Sequence, residues 1–182
     1  MKRILATCIL ILATHTQAKE IVGSTIKFEI PDEFTAKVLI YPETNLEAYI
    51  VQIGGENDEA KLSLVVPDMS RWDDPSFENW YRFWVEKSRH TLLQSGWDLA
   101  DIPEPQQTTC GEFEGFEVVK DFTNIDEKEI FTIDYYVLAG TKNLNIRFRG
   151  KKELTRIVEE ILASLKLNAN QSAHTTPASA PR

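Results

Sequence analysis

The stretch that decides the fold is Asp73-Asp74-Pro75-Ser76-Phe77-Glu78-Asn79-Trp80-Tyr81-Arg82-Phe83-Trp84-Val85-Glu86-Lys87-Ser88-Arg89-His90-Thr91-Leu92-Leu93-Gln94-Ser95-Gly96. Phe77, Trp80, Tyr81, Trp84, Val85, Ser88 and Leu92 recur at the three- and four-residue spacing that puts them on one arc of a helix. Asp74 is placed to cap that helix, Pro75 suits a first turn that needs no N–H, and Gly96 is a stop. Glu78 near the start and Lys87, Arg89 and His90 in the second half complement the helix dipole. An amphipathic helix buries such a stripe against a sheet more often than it offers it to a ligand. Phe83 falls on the opposite side and is the aromatic that a core does not explain.

Nearly everything around this helix reads as strand. Before it, Ile26, Phe28 and Ile30 alternate with polar residues, and Pro31 closes the run. Lys37–Tyr41, Glu47–Ile53 and Lys61–Val66 follow, the last two joined by a loop of turn composition, Gly54 to Glu59. After the helix, Pro103 and Pro105 make residues 97–110 an irregular link. Glu112–Phe122 is again strand, with Gly115 as a bulge candidate. Glu129–Ala139 is apolar on both faces, as in a covered central strand. Leu144, Ile146 and Phe148 alternate with Asn and Arg. A closing helix carries Leu154, Ile157, Val158, Ile161, Leu162 and Leu165 on one stripe. The fold class expected is α+β: an antiparallel sheet flanked by two amphipathic helices, sandwich-like.

The ends carry different signals. Met1-Lys2-Arg3, the apolar run Ile4–Ala13 and small residues at Thr16 and Ala18 make residues 1–18 a signal peptide cleaved near Ala18. The run is shorter than the ~20 residues that span a bilayer. Only seven residues precede Cys8, which argues against a lipoprotein. Residues 19–167 form a single domain and 168–182 a disordered tail without large apolar side chains. The destination expected is periplasmic or secreted.

Charge and inventory exclude several classes. The chain of 182 residues carries 20 basic and 28 acidic side chains. Without Lys2 and Arg3 the net charge is about −10, a poor match for nucleic acid or an anionic membrane. Cys110 is left without an internal partner and reads as a buried small hydrophobe. His90 and His174 are too few and too far apart for a structural zinc site or a triad. No nucleophile elbow, phosphate loop or dinucleotide fingerprint occurs. Glu56, Asp58 and Glu59 lack the spacing of a calcium loop and read as a solvated turn. No cofactor, metal or catalytic residue is therefore assigned. The candidate interaction surface comprises Arg71 and Trp72 at the helix entry, Phe83 on its outer side, and the basic group Arg147, Arg149, Lys151, Lys152 and Arg156.

Several segments carry a family resemblance: Phe28-Glu29-Ile30-Pro31, Gly115-Phe116-Glu117-Val118, Tyr135-Tyr136-Val137-Leu138, Leu144-Asn145-Ile146-Arg147-Phe148, and Ile157 through Ile161-Leu162-Ala163-Ser164-Leu165-Lys166-Leu167. In this order they resemble the PsbP-like superfamily, which includes photosystem II extrinsic proteins, a Ran-binding nuclear import factor and bacterial envelope proteins of the DcrB type. The resemblance covers residues 20–167 and rests on structural motifs. It implies a sheet flanked by helices and a non-catalytic binding or assembly role with a protein partner in the envelope. Two alternatives stand beside it: a carboxylate-dependent envelope hydrolase with two acids in one cleft, and an immunity or inhibitor protein facing a basic toxin.

Overall fold

A computed structural model describes residues 18–41, 46–54, 60–94, 103–123 and 129–169. Among the described residues, ten strands and two α-helices follow in the order β1 (Ala18–Val22), β2 (Ile26–Pro31), β3 (Thr35–Tyr41), β4 (Leu46–Gln52), β5 (Lys61–Val66), α1 (Phe77–Gln94), β6 (Gln106–Cys110), β7 (Phe113–Thr123), β8 (Glu129–Ala139), β9 (Lys142–Gly150), α2 (Thr155–Ala163) and β10 (Lys166–Leu167). Seven strands form one sheet in the order β3-β4-β5-β9-β8-β7-β6, and β1-β2-β10 form a second. Every pairing is antiparallel. The class is α+β.

Strand alternation sends two sets of side chains to opposite faces of the large sheet. Tyr49, Val51, Leu62, Leu64, Ile133, Tyr135, Val137, Leu144, Ile146 and Phe148 face inward and are all buried. What covers them is composite: Ile26, Phe28 and Ile30 of β2 together with Val158, Ile161 and Leu162 of α2 join the same cluster. The inner layer is thus half small sheet and half helix, more than the helix alone that the sequence suggests. Burying each such aliphatic side chain contributes on the order of 2 kcal/mol, so β2 is as much a part of the core as α2.

The other face receives α1. Trp80 packs with Val118 of β7 and Tyr136 of β8, and Met69, Trp72, Phe77, Tyr81 and Val85 gather round them. The helix begins two residues later than Pro75. Ser76 sits just before it, its hydroxyl accepting from the Asn79 N–H at 3.4 Å. Asp74 accepts instead from the Ser76 N–H at 3.0 Å, steering the turn that leads in. Gly96 lies outside the described residues.

Two further details depart from the sequence reading. Residues 106–110, expected to be irregular, form the edge strand β6, paired from Gln106↔Glu117 to Cys110↔Phe113. The prolines end just before it, so they border the strand without interrupting it. Gly115 makes no bulge, because the β7–β8 register runs unbroken from Gly115↔Val137 to Phe116↔Tyr136. A Cβ there would lie 2.1 Å from the Tyr136 carbonyl oxygen, so it is close backbone approach that calls for glycine.

Candidate binding groove beneath the first helix

The middle of β8 holds a carboxylate, Asp134, with no exposed surface, on the face turned toward α1. A buried charge survives only if paired, and here two cations meet it. Lys120 Nζ donates to Asp134 Oδ2 at 2.7 Å, and Arg147 donates through Nε to Oδ1 at 2.5 Å and through its second nitrogen to Oδ2 at 3.2 Å. Lys120 Nζ also donates to Ser88 Oγ of α1 at 2.5 Å. One polar chain therefore runs from β9 through β8 and β7 into the helix, fixing where α1 crosses the sheet. The Asp134 carboxylate holds the Arg147 guanidinium above its ordinary pKa, against the opposing effect of burial.

Beside this cluster a groove of about 510 Å³ opens between Trp84, Lys87 and Thr91 of α1 and Thr132, Arg147 and Arg149 of the sheet. Lys87 Nζ lies 4.7 Å from the centre of the Trp84 ring and 5.8 Å from that of Phe83. Phe83 meets Trp72 edge-on at 5.1 Å and Trp84 edge-on at 5.4 Å. Trp72, Phe83, Trp84 and Lys87 thus form a continuous aromatic and cationic rim. Trp84 is 36% exposed although its spacing places it on the core stripe, because it overhangs the groove and not the sheet floor.

The residues singled out from sequence are distributed as follows. Trp72 is half-buried against the Trp80 cluster and Phe83 is exposed, and the two touch. Arg71 is exposed in the turn before α1. Arg147 and Arg149 share the α1 face of the sheet, as their pairing with Asp134 and Thr132 requires. Lys151, Lys152 and Arg156 do not join them. The chain leaves the sheet after Gly150, Lys152 Nζ lies 5.7 Å over the Phe131 ring, and Arg156 pairs with Glu160 within α2 at 3.2 Å. The basic run is split between two sides of the protein.

Other polar sites serve different ends. The buried Glu47 accepts from Ser24 Oγ at 2.6 Å, Thr25 N at 3.0 Å and the Tyr49 hydroxyl. Burial pushes its carboxyl up, but the hydrogen bonds from Ser24, Tyr49 and Thr25 outweigh it and hold it below the usual carboxylate range. On the inner side, a cleft of about 350 Å³ holds Glu117, Glu159 and Tyr135. Burial raises the Glu117 carboxyl, and the Glu159 charge adds to it against a hydrogen bond from Thr108. Among the described residues no group of three or more His, Cys, Asp or Glu side chains is placed to hold a metal ion. His90 is exposed on α1. Glu56, Asp58, Glu59 and His174 lie outside the described residues.

Asp134 and Lys120 are the residues that the sequence reading missed. The signal was present as an acid amid apolar neighbours in a strand covered on both faces, where ionisation demands a partner.

No protein-family model matches the chain, and no curated protein matches it either. Among solved structures, a crystal structure of a protein from Bacteroides thetaiotaomicron VPI-5482 is similar, with a TM-score of 0.53 at 9% sequence identity, over 85% of this chain and 50% of that one. The chain spans about half the length of that structure. At this identity the likeness concerns the fold alone.

Proposed function

We propose that this is a non-catalytic binding or accessory protein of the bacterial envelope, PsbP-like in lineage and periplasmic or secreted. Its contact surface is the part of the large sheet beside α1. The observation that carries this reading is incomplete coverage. Trp80, Val118 and Tyr136 form the cluster under α1, and neither that cluster nor the main core includes Leu39, Ala48, Ile50 or Val65, which share the same face toward β3. A sheet face with apolar side chains left half-open next to an aromatic rim is a surface built for a partner. The test is capture: the protein carrying a photo-crosslinker at Phe83 is expressed in its envelope, and a Trp84→Ala version is run beside it. A partner retained by the first and lost from the second is expected. The reading fails if no partner crosslinks from this rim in any growth condition.

A second reading is favoured by the Glu117–Glu159 cleft, where two carboxyls share one concavity and one is raised, as a carboxylate-dependent hydrolase requires. Hydrolysis of envelope glycans or esters by the purified protein, abolished by Glu117→Gln with the fold intact, would establish it. Absence of turnover across those substrate classes would remove it.

A further inference from the structure

The register of the large sheet brings together a charge pattern invisible along the chain. Across the outer face, Lys37 stands opposite Ile50, Ile50 opposite Ser63, Ser63 opposite Arg147 and Arg147 opposite Asp134. One step along the strands, Gln52 stands opposite Lys61, Lys61 opposite Arg149 and Arg149 opposite Thr132. One step the other way runs an apolar row, Leu39, Ala48 and Val65. The four strands β3, β4, β5 and β9 span roughly 14 Å at the usual strand spacing. This half of the face therefore presents Lys37, Lys61, Arg147 and Arg149, all exposed, beside a strip of aliphatic side chains.

Among the described residues, no carboxylate from these four strands shares that face; Glu47, the acid of β4, points the other way into its cluster with Ser24 and Tyr49. Arg147 is engaged by Asp134, while Lys37, Lys61 and Arg149 make no ion pair among the described residues. In a chain with 28 acidic against 20 basic side chains, four neighbouring strands whose described residues put cations and no acid on this face are a local reversal of the overall charge. Lys87 on the α1 rim adds to the same side.

We propose that the open half of this sheet face docks an acidic, amphipathic segment of a partner polypeptide. Its apolar side chains lie on the Leu39–Ala48–Val65 strip, and its Asp or Glu side chains meet Lys61, Arg149 and Lys37. The proposal rests on the binding-module reading and specifies its partner's chemistry. Charge complementarity supplies the orientation: the carboxylates cannot face the aliphatic strip without losing solvation.

The test uses a fluorescein-labelled peptide rich in Glu and Leu, with a matched peptide in which each Glu is Gln. Fluorescence anisotropy follows binding to the full chain, to Lys61→Glu/Arg149→Glu, and to Lys152→Glu/Arg156→Glu, which makes the same charge change on the α2 side. Expected are binding of the Glu peptide that weakens with salt, a loss of about tenfold or more in the sheet-face variant, and a change within about twofold in the α2-side variant. Circular dichroism checks the fold, and Lys61→Gln/Arg149→Gln replaces the first variant if it does not fold. Equal loss in both variants, or equal binding of the Gln peptide, overturns the proposal. So does docking of phosphatidylglycerol vesicles without the peptide, or self-association abolished by the sheet-face variant, each naming a different occupant. An envelope partner whose capture depends on Trp84 but not on Lys61 and Arg149 sinks the acidic class alone. Capture indifferent to all three sinks the binding-face reading with it.

Discussion

Lys120 and Asp134, 14 residues apart on neighbouring strands, meet in a 2.7 Å ion pair with both side chains almost wholly buried. Removing one partner of such a pair leaves the other charged in a low-dielectric site. Asp134→Leu alone is expected to cost about 3–5 kcal/mol, whereas combined with Lys120→Met it costs much less, because no orphan charge remains at Lys120. Urea unfolding of the single and double variants measures the difference. A double variant as unstable as the sum of its parts would contradict the coupling.

Glu47 gives the protein an acid-sensitive element. Its carboxyl is held below the ordinary value in the folded state, so its contribution to stability is full above the unfolded carboxylate pKa. The contribution is then lost as pH falls through the lower folded value. Glu47→Gln is expected to lower stability at pH 7 by about 2 kcal/mol, since hydrogen bonds to a charged acceptor weaken and the donors stay buried. Its unfolding midpoint should also vary less with pH below 5 than the parent's. Parallel slopes in the two proteins would be incompatible with this account.

Cys110 is a free thiol shielded by burial. The thiol has no exposed surface, and burial, with the Glu117 charge adding, pushes its pKa up to about 12. At pH 8 the folded protein should resist iodoacetamide and react at the rate of a free thiol only once unfolded. Mass spectrometry with and without denaturant reads this directly; rapid labelling of the native state would place the thiol at the surface.

Gly111 and Gly140 separate backbone strain from crowding. Both adopt positive φ, 61° and 65°, so alanine is strained at either. At Gly140 the new methyl would meet only the flexible end of Leu167 at 3.2 Å, and a loss of about 1 kcal/mol is expected. At Gly111 it would lie 2.1 Å from the Leu165 carbonyl oxygen, which is backbone and must move. Gly111→Ala should therefore exceed Gly140→Ala by about 1 kcal/mol or more. Thermal unfolding of the pair decides it.

Several strands could be read from alternation, because one face of each lies in the core: Tyr49, Val51, Leu62 and Leu64 show the period plainly. Three things escaped for physical reasons. Proline in 97–110 marks where a strand cannot be, but says nothing of the five residues after Pro105. Reading β8 as apolar on both faces passes over Asp134, whose partners Lys120 and Arg147 come from other strands. The basic run Arg147–Arg156 is contiguous in sequence, but strand alternation keeps Arg147 and Arg149 on one face while the turn after Gly150 carries Lys152 and Arg156 to the other side. Charge rows such as Lys61–Arg149 exist only once register is known.

The small sheet has a mechanical consequence. Ala18 pairs with Pro31 at one end of β2, and Leu167 pairs with Ile26 at the other. Tension between residues 18 and 167 would therefore run along the strands and shear them, loading the ladder's hydrogen bonds together instead of one at a time. The β10 side has two paired residues against five on the β1 side. A pull across the domain should shear β10 off first, exposing Leu165 and the stripe of α2 while the large sheet stays intact.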